Sequence, residues 1–496
     1  MGVAQTRGLL LWELDWIRRS VRRCLAGKRL RERASLMNLH HAHIRVVYEP
    51  RTDLEGIDVE TDERSRWLAD RCEVNMRRVL LLGLYYPPAN FMAGRRLQGW
   101  ARHLPDFGYD PLVLTRYYDR EARDSHDFYA SGRPTKTLRE SWVESEGAVY
   151  TQFSESFWQR LPVPGKIRGL AHYIWPDPDH SQWYRHCVDY LNRSGYKPDI
   201  IIGSYSPAAM FSIAAKLARR FRVPWIADYR DTWIEIFDDH PATRFKYACQ
   251  RRHLRSASGV TAASEGVVAA VSRQLAPLDI PTQLIYNGAE PFDDVQPSVE
   301  DQHALSVFDE IKKRNQIVLT YAGTLYPQQQ IEVLLNAVAE FNARNGRSCA
   351  IVLCGRHDTA RFAGWPFVHL LGPVAHDTAL FLQKQSTAGF YPTWWPEKHT
   401  GFTGKIFEMI LSARPTLVFS TPPPDLVALG NRFKSVSVIK QPEALMKELE
   451  QLPKRVTGNE SDDSLILATK KYAAGQLARF LDRILDVQHE QEVEAA

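Results

Sequence analysis

The stretch TGFTGKIFEMI, residues 400–410, brings a lysine and a glutamate to the start of one helical run. Lys405 and Glu408 are a turn apart and so share a helix side. Ahead of them, Gly401 and Gly404 allow close approach of backbone to a ligand. A helix start offers unpaired N–H groups and the positive end of its dipole to a phosphate. Lys405 adds a point charge suited to a diphosphate, and the Glu408 carboxylate, acceptor-only, can take both hydroxyls of a ribose. The competing reading is an exposed Lys–Glu pair, which contributes little.

The elements that must hold this pair alternate along the chain. RRVLLLGLYYPP, from Arg77, reads as a buried parallel strand ended by Pro87 and Pro88. GRRLQGWARHLPDFGYDPLVLTRY continues as helix, turn and strand. KPDIIIGSYSPAAMFSIAAKLARRFRVPWIADYRDTW repeats the unit, and SGVTAASEGVVAAVSRQL with TQLIYNGAE extends it. NQIVLTYAGTL, from Asn315, restarts the pattern, with CAIVLCGR, VHLLGPV, TAGFYPTWW and RPTLVFS as further strands. Two such blocks predict an α/β protein of two doubly wound, Rossmann-like domains. The boundaries expected are 1–75 for an amino-terminal segment, 76–295 and 296–425 for the domains, and 426–496 for a tail ending in a helix. The seam near residues 293–314 is polar. In such sheets ligands bind beyond the carboxyl ends of strands. In the second domain that points to the loops GTLYPQQQ, GRHD, GPVAHD and Tyr391–Gly404.

Composition narrows the function. A net charge of +5 over 496 residues is weak and argues against nucleic acid as a partner. The cysteines Cys24, Cys72, Cys187, Cys249, Cys349 and Cys354 form no CxxC pair, which fits a reducing compartment and offers no zinc site. No apolar run reaches the roughly 20 residues of a spanning helix, so a cytoplasmic location is expected. The first residues differ from the rest. Leu9, Trp12, Trp16, Ile17, Val21 and Leu25 share a helix face, and arginines fill the other, from Arg18 to Arg33. Residues 8–34 therefore read either as a helix in an anionic membrane interface or as one packed on the body. An acidic linker follows.

Several residues invite other chemistry. Ser264 and Glu265 look like a helix cap and its first turn, and GxSxG is absent, so serine-hydrolase chemistry has no support. The ligand loops hold no DxD metal motif, and Asp238–Asp239 read as a solvated loop. His399, beside the glycine loop, is a candidate for phosphate or sugar contact, while His357 and His376 read as loop or cap residues. Trp394 and Trp395 suit either stacking on an acceptor or filling a domain interface.

Over residues 77–420 the order and spacing of these motifs resemble retaining glycosyltransferases of the GT-B fold, in particular the family 4-like group. LYYPPANFMAGRRLQGWARHL resembles the family's opening loop and helix. VPWIADYRDTW, SGVTAASEG and LIYNGAE are similar to its first domain, and YAGTL, GPV and GKIFEMILSARPTLVFS to its nucleotide-sugar-binding domain. The resemblance implies that Glu408 is the ribose-binding second glutamate of an E-x7-E pattern, with Lys405 near the donor phosphates. It places Gly94 and Arg95 near the sugar diphosphate and Asp231 on the acceptor side, Asp231 and Lys405 being the catalytic candidates. Gly323 and Thr324, within Tyr321–Leu325, would approach the diphosphate, while Gly372 and Val374 would border the base. Arg356, Gly404 and His399 complete the donor set. Two positions depart from the family pattern: Thr400 stands where the first glutamate belongs, with Glu397 nearby, and Gln329 and Gln330 replace an expected lysine.

The resemblance implies a metal-independent enzyme with no cofactor. It would move a sugar from a nucleotide-sugar donor to a sugar or lipid-linked acceptor, in surface polysaccharide or glycoconjugate assembly. The alternatives are a GT-B-fold sugar-nucleotide epimerase and a non-catalytic nucleotide-sugar-binding protein.

Overall fold

A computed structural model describes residues 76–87, 92–116, 142–145, 148–151, 173–174, 181–234, 241–292, 294–325, 329, 331–345, 348–393, 402–419, 423–457 and 463–495. The expected amino-terminal helix, Asp238–Asp239, Gln330, Trp394, Trp395, Glu397, His399, Thr400 and Gly401 lie outside them. Met76 aside, the described residues belong to one unit, Arg77–Ala496.

That unit holds two sheets. The first is built from β1 (Arg77–Leu82), β2 (Tyr109–Arg116), β3 (Trp142–Ser145), β4 (Ala148–Thr151), β5 (Ile200–Tyr205), β6 (Trp225–Tyr229), β7 (Gly259–Ala262) and β8 (Thr282–Leu284). Their order is β3-β4-β2-β1-β5-β6-β7-β8, with β3 alone antiparallel to its neighbour. The second contains β9 (Ile317–Ala322), β10 (Cys349–Cys354), β11 (Val368–Gly372), β12 (Ala388–Pro392), β13 (Thr416–Phe419) and β14 (Val436–Val438), in the order β11-β10-β9-β12-β13-β14, all parallel. Parallel strands covered on both faces must be apolar throughout, and β10 is buried at every position. Among the parallel strands of each sheet the order reverses once, at β1/β5 and at β9/β12. These switch points leave a crevice between diverging connections, where doubly wound folds take their ligands.

The polar seam is not a plain linker. Most of it is the helix Gln302–Arg314, which buries Ala304, Phe308 and Ile311, the last two against Val318, Ala350 and Val352. Those apolar residues recur at helical spacing among charged neighbours and make one narrow stripe. The tail also holds more than one helix: β14 and Pro442–Thr457 precede the terminal helix Lys470–Ala495. The terminal helix returns to the first sheet, burying Ala473, Ala474, Leu477 and Leu481 in the cluster that contains Leu97 and Trp100. Arg77 Nη1 and the Tyr109 hydroxyl both donate to Asp482 Oδ1, at 2.8 and 2.9 Å, and fix its register.

The chain crosses between halves twice, and the crossings are bonded side by side. Ala289 N–H donates to Ala468 O at 2.8 Å and Lys470 N–H to Ala289 O at 3.0 Å. Gly288 makes this approach possible: its φ is +64°, and a Cβ there would lie 2.7 Å from the Thr469 carbonyl carbon. A second contact joins Asp425, buried at the start of the helix Pro424–Arg432, to the amino terminus of Glu265–Leu275. Its carboxylate accepts from Ser264 Oγ at 2.9 Å and from the Gly266 N–H. Ser264 also caps its own helix, accepting from Val267 N–H at 3.3 Å, as read from the sequence.

Candidate active site

The helix carrying the lysine and glutamate spans Lys405–Leu411 and follows β12, at the second switch point. Ile406, Phe407, Met409 and Ile410 are buried, which fixes the helix rotation and turns Lys405 and Glu408 to the open side. The Tyr391 hydroxyl accepts from Thr403 N–H at 2.9 Å and holds the loop leading in. From the first half, Tyr286 packs on Phe402 and Phe407, with ring centroids 6.1 and 5.5 Å apart. The helix has only seven residues and is preceded by Gly404, which has no capping side chain, so side chains rather than its dipole define the site.

Lys405 reaches across to the end of β9. Its Nζ lies against Gly323, where a Cβ would collide with it, and 5.5 Å from the centre of the Tyr321 ring. Gly323 has φ +138°, a conformation that also excludes other residues. Burial lowers the Lys405 pKa, and Glu408 offsets part of that shift. Glu408 itself is pushed up, first by burial; the charges of His376, Lys405, Lys470 and Arg95 act against this. His376 Nε2 lies 3.7 Å from Oε1. Among the described residues no group donates a hydrogen bond to the Glu408 carboxylate.

Arg95 comes from the first switch point, on the helix Met92–His103 after β1. Gly94 lets this helix start against the strand end, since a Cβ there would lie 2.8 Å from Tyr86 Cα. Arg95 Nη1 donates to Gln98 Oε1 at 3.3 Å, and its charge reaches Glu408. The structure thus brings together Arg95, Lys405, Gly323 and Glu408 from both halves. Gly404 and Thr324 adjoin them in sequence, both half-buried.

Other candidates stand apart. Asp231 is exposed in the loop after β6 and pairs with Arg230 Nε at 3.5 Å. Arg356 is exposed, and Val374 packs against the cluster of the seam helix. Gly372 has φ +74°, and its carbonyl accepts from Gly355 N–H at 2.7 Å at the ends of β10 and β11. Gln329 is buried, donating to Pro392 O at 3.2 Å, while its own carbonyl accepts from Arg361; it ties strand ends together. His376 heads the helix His376–Gln385 beside Glu408, and His357 lies near Lys405, its pKa lowered first by burial. No group of three or more His, Cys, Asp or Glu among the described residues could hold a metal ion. None of their helices is long and apolar enough to cross a membrane.

Below the first switch point lies an ion pair that sequence reading missed. Arg96 and Asp228 are both buried; Arg96 Nη2 lies 3.0 Å and Nε 3.1 Å from Asp228 Oδ1. Ser204 and Thr261 hydroxyls donate to the same carboxylate at 2.7 Å each, and Arg96 Nη1 donates to Ile285 O at 2.7 Å. An aspartate inside the otherwise apolar strand WIADY is the signal that could have revealed it.

Residues 93–288 match the glycosyl transferase 4-like domain family. Solved structures extend the likeness beyond that stretch as a fold, and the two-sheet unit has the GT-B fold. Anabaena HepE, in complex with UDP and glucose, is 16% identical with a TM-score of 0.50, covering 82% of this chain and 100% of its own. An E. coli trehalose-6-phosphate protein bound with UDP-2-fluoro glucose is 11% identical with a TM-score of 0.54, at 82% and 99% coverage. Trehalose-6-phosphate synthase OtsA is 12% identical with a TM-score of 0.53, at 82% and 98% coverage. No curated protein sequence matches the chain. The family match includes Gly94, Arg95 and Asp231 but ends well before Lys405 and Glu408.

Proposed function

We propose that this glycosyltransferase moves a sugar from a nucleotide-sugar donor to an acceptor, with Glu408 accepting the ribose hydroxyls and with Lys405 and Arg95 facing the diphosphate. The observation that carries this is the half-buried Glu408 carboxylate, which has cations around it and no hydrogen-bond donor among the described residues. A half-buried carboxylate with no protein donor among the described residues suits a pair of ligand hydroxyls. Cleavage of a glycosyl–phosphate bond builds negative charge on the departing diphosphate, and fixed cations aimed there lower the barrier. In this reading Lys405 and Arg95 supply that charge with no metal and no cofactor, and the anomeric configuration is retained. HepE and the E. coli protein are bound with UDP or a UDP-sugar, which supports a nucleotide donor of that kind.

The biological setting we propose is surface polysaccharide or glycoconjugate assembly at a cytoplasmic membrane face. The basic, tryptophan-bearing residues 8–34 would hold the enzyme to anionic lipid near a lipid-linked acceptor. Transfer and donor hydrolysis are to be measured over a panel of UDP- and GDP-sugars with the wild type and Glu408→Ala. The expected outcome is turnover on one donor, strongly reduced in the variant. Conversion of donor without acceptor would identify an epimerase, and tight nucleotide binding without turnover a binding protein. Unchanged activity in the variant would remove the ribose assignment.

A further inference from the structure

The first residue of the terminal helix stands in the same cluster. Lys470 follows the second crossing, and its backbone N–H is held by Ala289 O at 3.0 Å. Its stem lies on the helix Met92–His103: a Cβ at Gly99 would come within 2.7 Å of Lys470 Cδ. Gly99 is one turn after Arg95, so the stem runs along the face that presents Arg95. Its Nζ lies 3.7 Å from Glu290 Oε1, and its charge acts on both Arg95 and Glu408. Glu290 is not its private partner. His103 Nε2 lies 3.1 Å and Arg102 Nη1 3.7 Å from the same carboxylate.

The charges of Lys470, Lys405 and Arg95 all act on Glu408, from the terminal helix, the second half and the first half respectively. Positive charge exceeds negative charge at this point of the cleft, in a setting where burial already lowers the pKa of both lysines. Like charges held together out of water are costly unless an anion joins them.

We propose that Lys470 is a donor-binding residue: its ammonium, delivered by the returning terminal helix, binds the diphosphate of the nucleotide-sugar beside Lys405 and Arg95. The assignment rests on the donor reading above and extends it to an element that returns from the far end of the chain. It also ties donor binding to the paired crossings, because Lys470, at the end of the second, is held to the first through its backbone by Ala289 and through its side chain by Glu290.

The test compares affinities of the wild type, Lys470→Met and Lys470→Arg for UDP, GDP and the matching monophosphates. Methionine keeps an apolar stem on Gly99 and removes only the charge. The expected result is a loss of about tenfold or more for the diphosphate with Lys470→Met, little change for the monophosphate, and recovery with Lys470→Arg. On the wild type itself, acylation of Lys470 read by mass spectrometry should be slowed by the diphosphate and not by the monophosphate, which decides the matter if Lys470→Met does not fold. Diphosphate binding by Lys470→Met equal to wild type, an equal loss for mono- and diphosphate, or unprotected Lys470 would overturn the assignment and leave the donor reading standing. Binding of neither nucleotide by the wild type would bring down both.

Discussion

Asp228 in the first half and Glu408 in the second are both acids drawn away from water, and their surroundings differ in one respect. Asp228 is fully buried, and its carboxylate is occupied by the Arg96 guanidinium and by the hydroxyls of Ser204 and Thr261. Glu408 is half-buried, surrounded by cationic charge, and has no hydrogen-bond donor among the described residues. A buried charge that is completely paired holds the fold together, since removing either member leaves the other stranded. A carboxylate short of donors contributes little to the fold and keeps its acceptors for a ligand. Arg95 and Arg96 repeat the contrast on adjacent positions of one helix. Arg96 points inward, 4.3 Å from the Trp100 ring centre, whereas Arg95 is half-buried, donates to Gln98 and extends its charge to Glu408.

The contrast would break first at the buried pair. Arg96→Ala should destabilise the protein by about 3–5 kcal/mol, read as a lower denaturation midpoint; a change below about 1 kcal/mol would show that the pair does not hold the first sheet. Glu408→Ala should act the other way round. Two lost hydrogen bonds to a charged group are worth about 3 kcal/mol, or roughly 100-fold in transfer rate. Glu408→Gln should not lower the midpoint at pH 7. Because burial raises the Glu408 pKa in the folded state, stability falls as pH rises through that folded pKa range, and removing the charge relieves this cost.

Asp425→Ala sharpens the comparison, since this acid is paired across the two halves. It should cost about 1–3 kcal/mol by leaving the Gly266 N–H and the Ser264 hydroxyl without their acceptor, measurable by calorimetry. The smallest effect is in pH. Nucleotide binding needs Glu408 ionised and Lys405 charged; the first has a raised pKa and the second a lowered one. Affinity should therefore fall on the acid side above the ordinary glutamate value of about 4.3, and on the alkaline side below the ordinary lysine value of about 10.4. Lys405→Met should weaken binding and flatten the alkaline limb in a titration.

The sequence exposed what is local. Apolar runs marked the parallel strands because both faces are covered, and a glycine loop entering KIFE marked the helix that presents Lys405 and Glu408. Pairings that depend on helix phase stayed hidden. RR in the first helix does not say which arginine turns inward until Trp100 and Leu97 set its rotation. Lys470 was invisible for another reason, because its neighbours Gly99 and Glu290 are distant in the chain and meet it only when the crossings align. TQLIYNGAE reads as one strand, yet pairing stops at Leu284, and the Ile285 carbonyl is taken by Arg96. The seam helix was masked by its charges, with Phe308 and Ile311 too sparse to stand out.

The central claim, that Glu408 holds the donor's ribose, is tested most directly by a cycle of four affinities. Wild type and Glu408→Gln are each titrated with UDP or GDP and with the 2′,3′-dideoxy form of the same nucleotide. The expected result is a loss of about tenfold or more on removing the hydroxyls from the wild-type ligand and almost none in the variant, a coupling of at least about 1.4 kcal/mol. Equal losses in both proteins would mean that the carboxylate and the ribose do not meet.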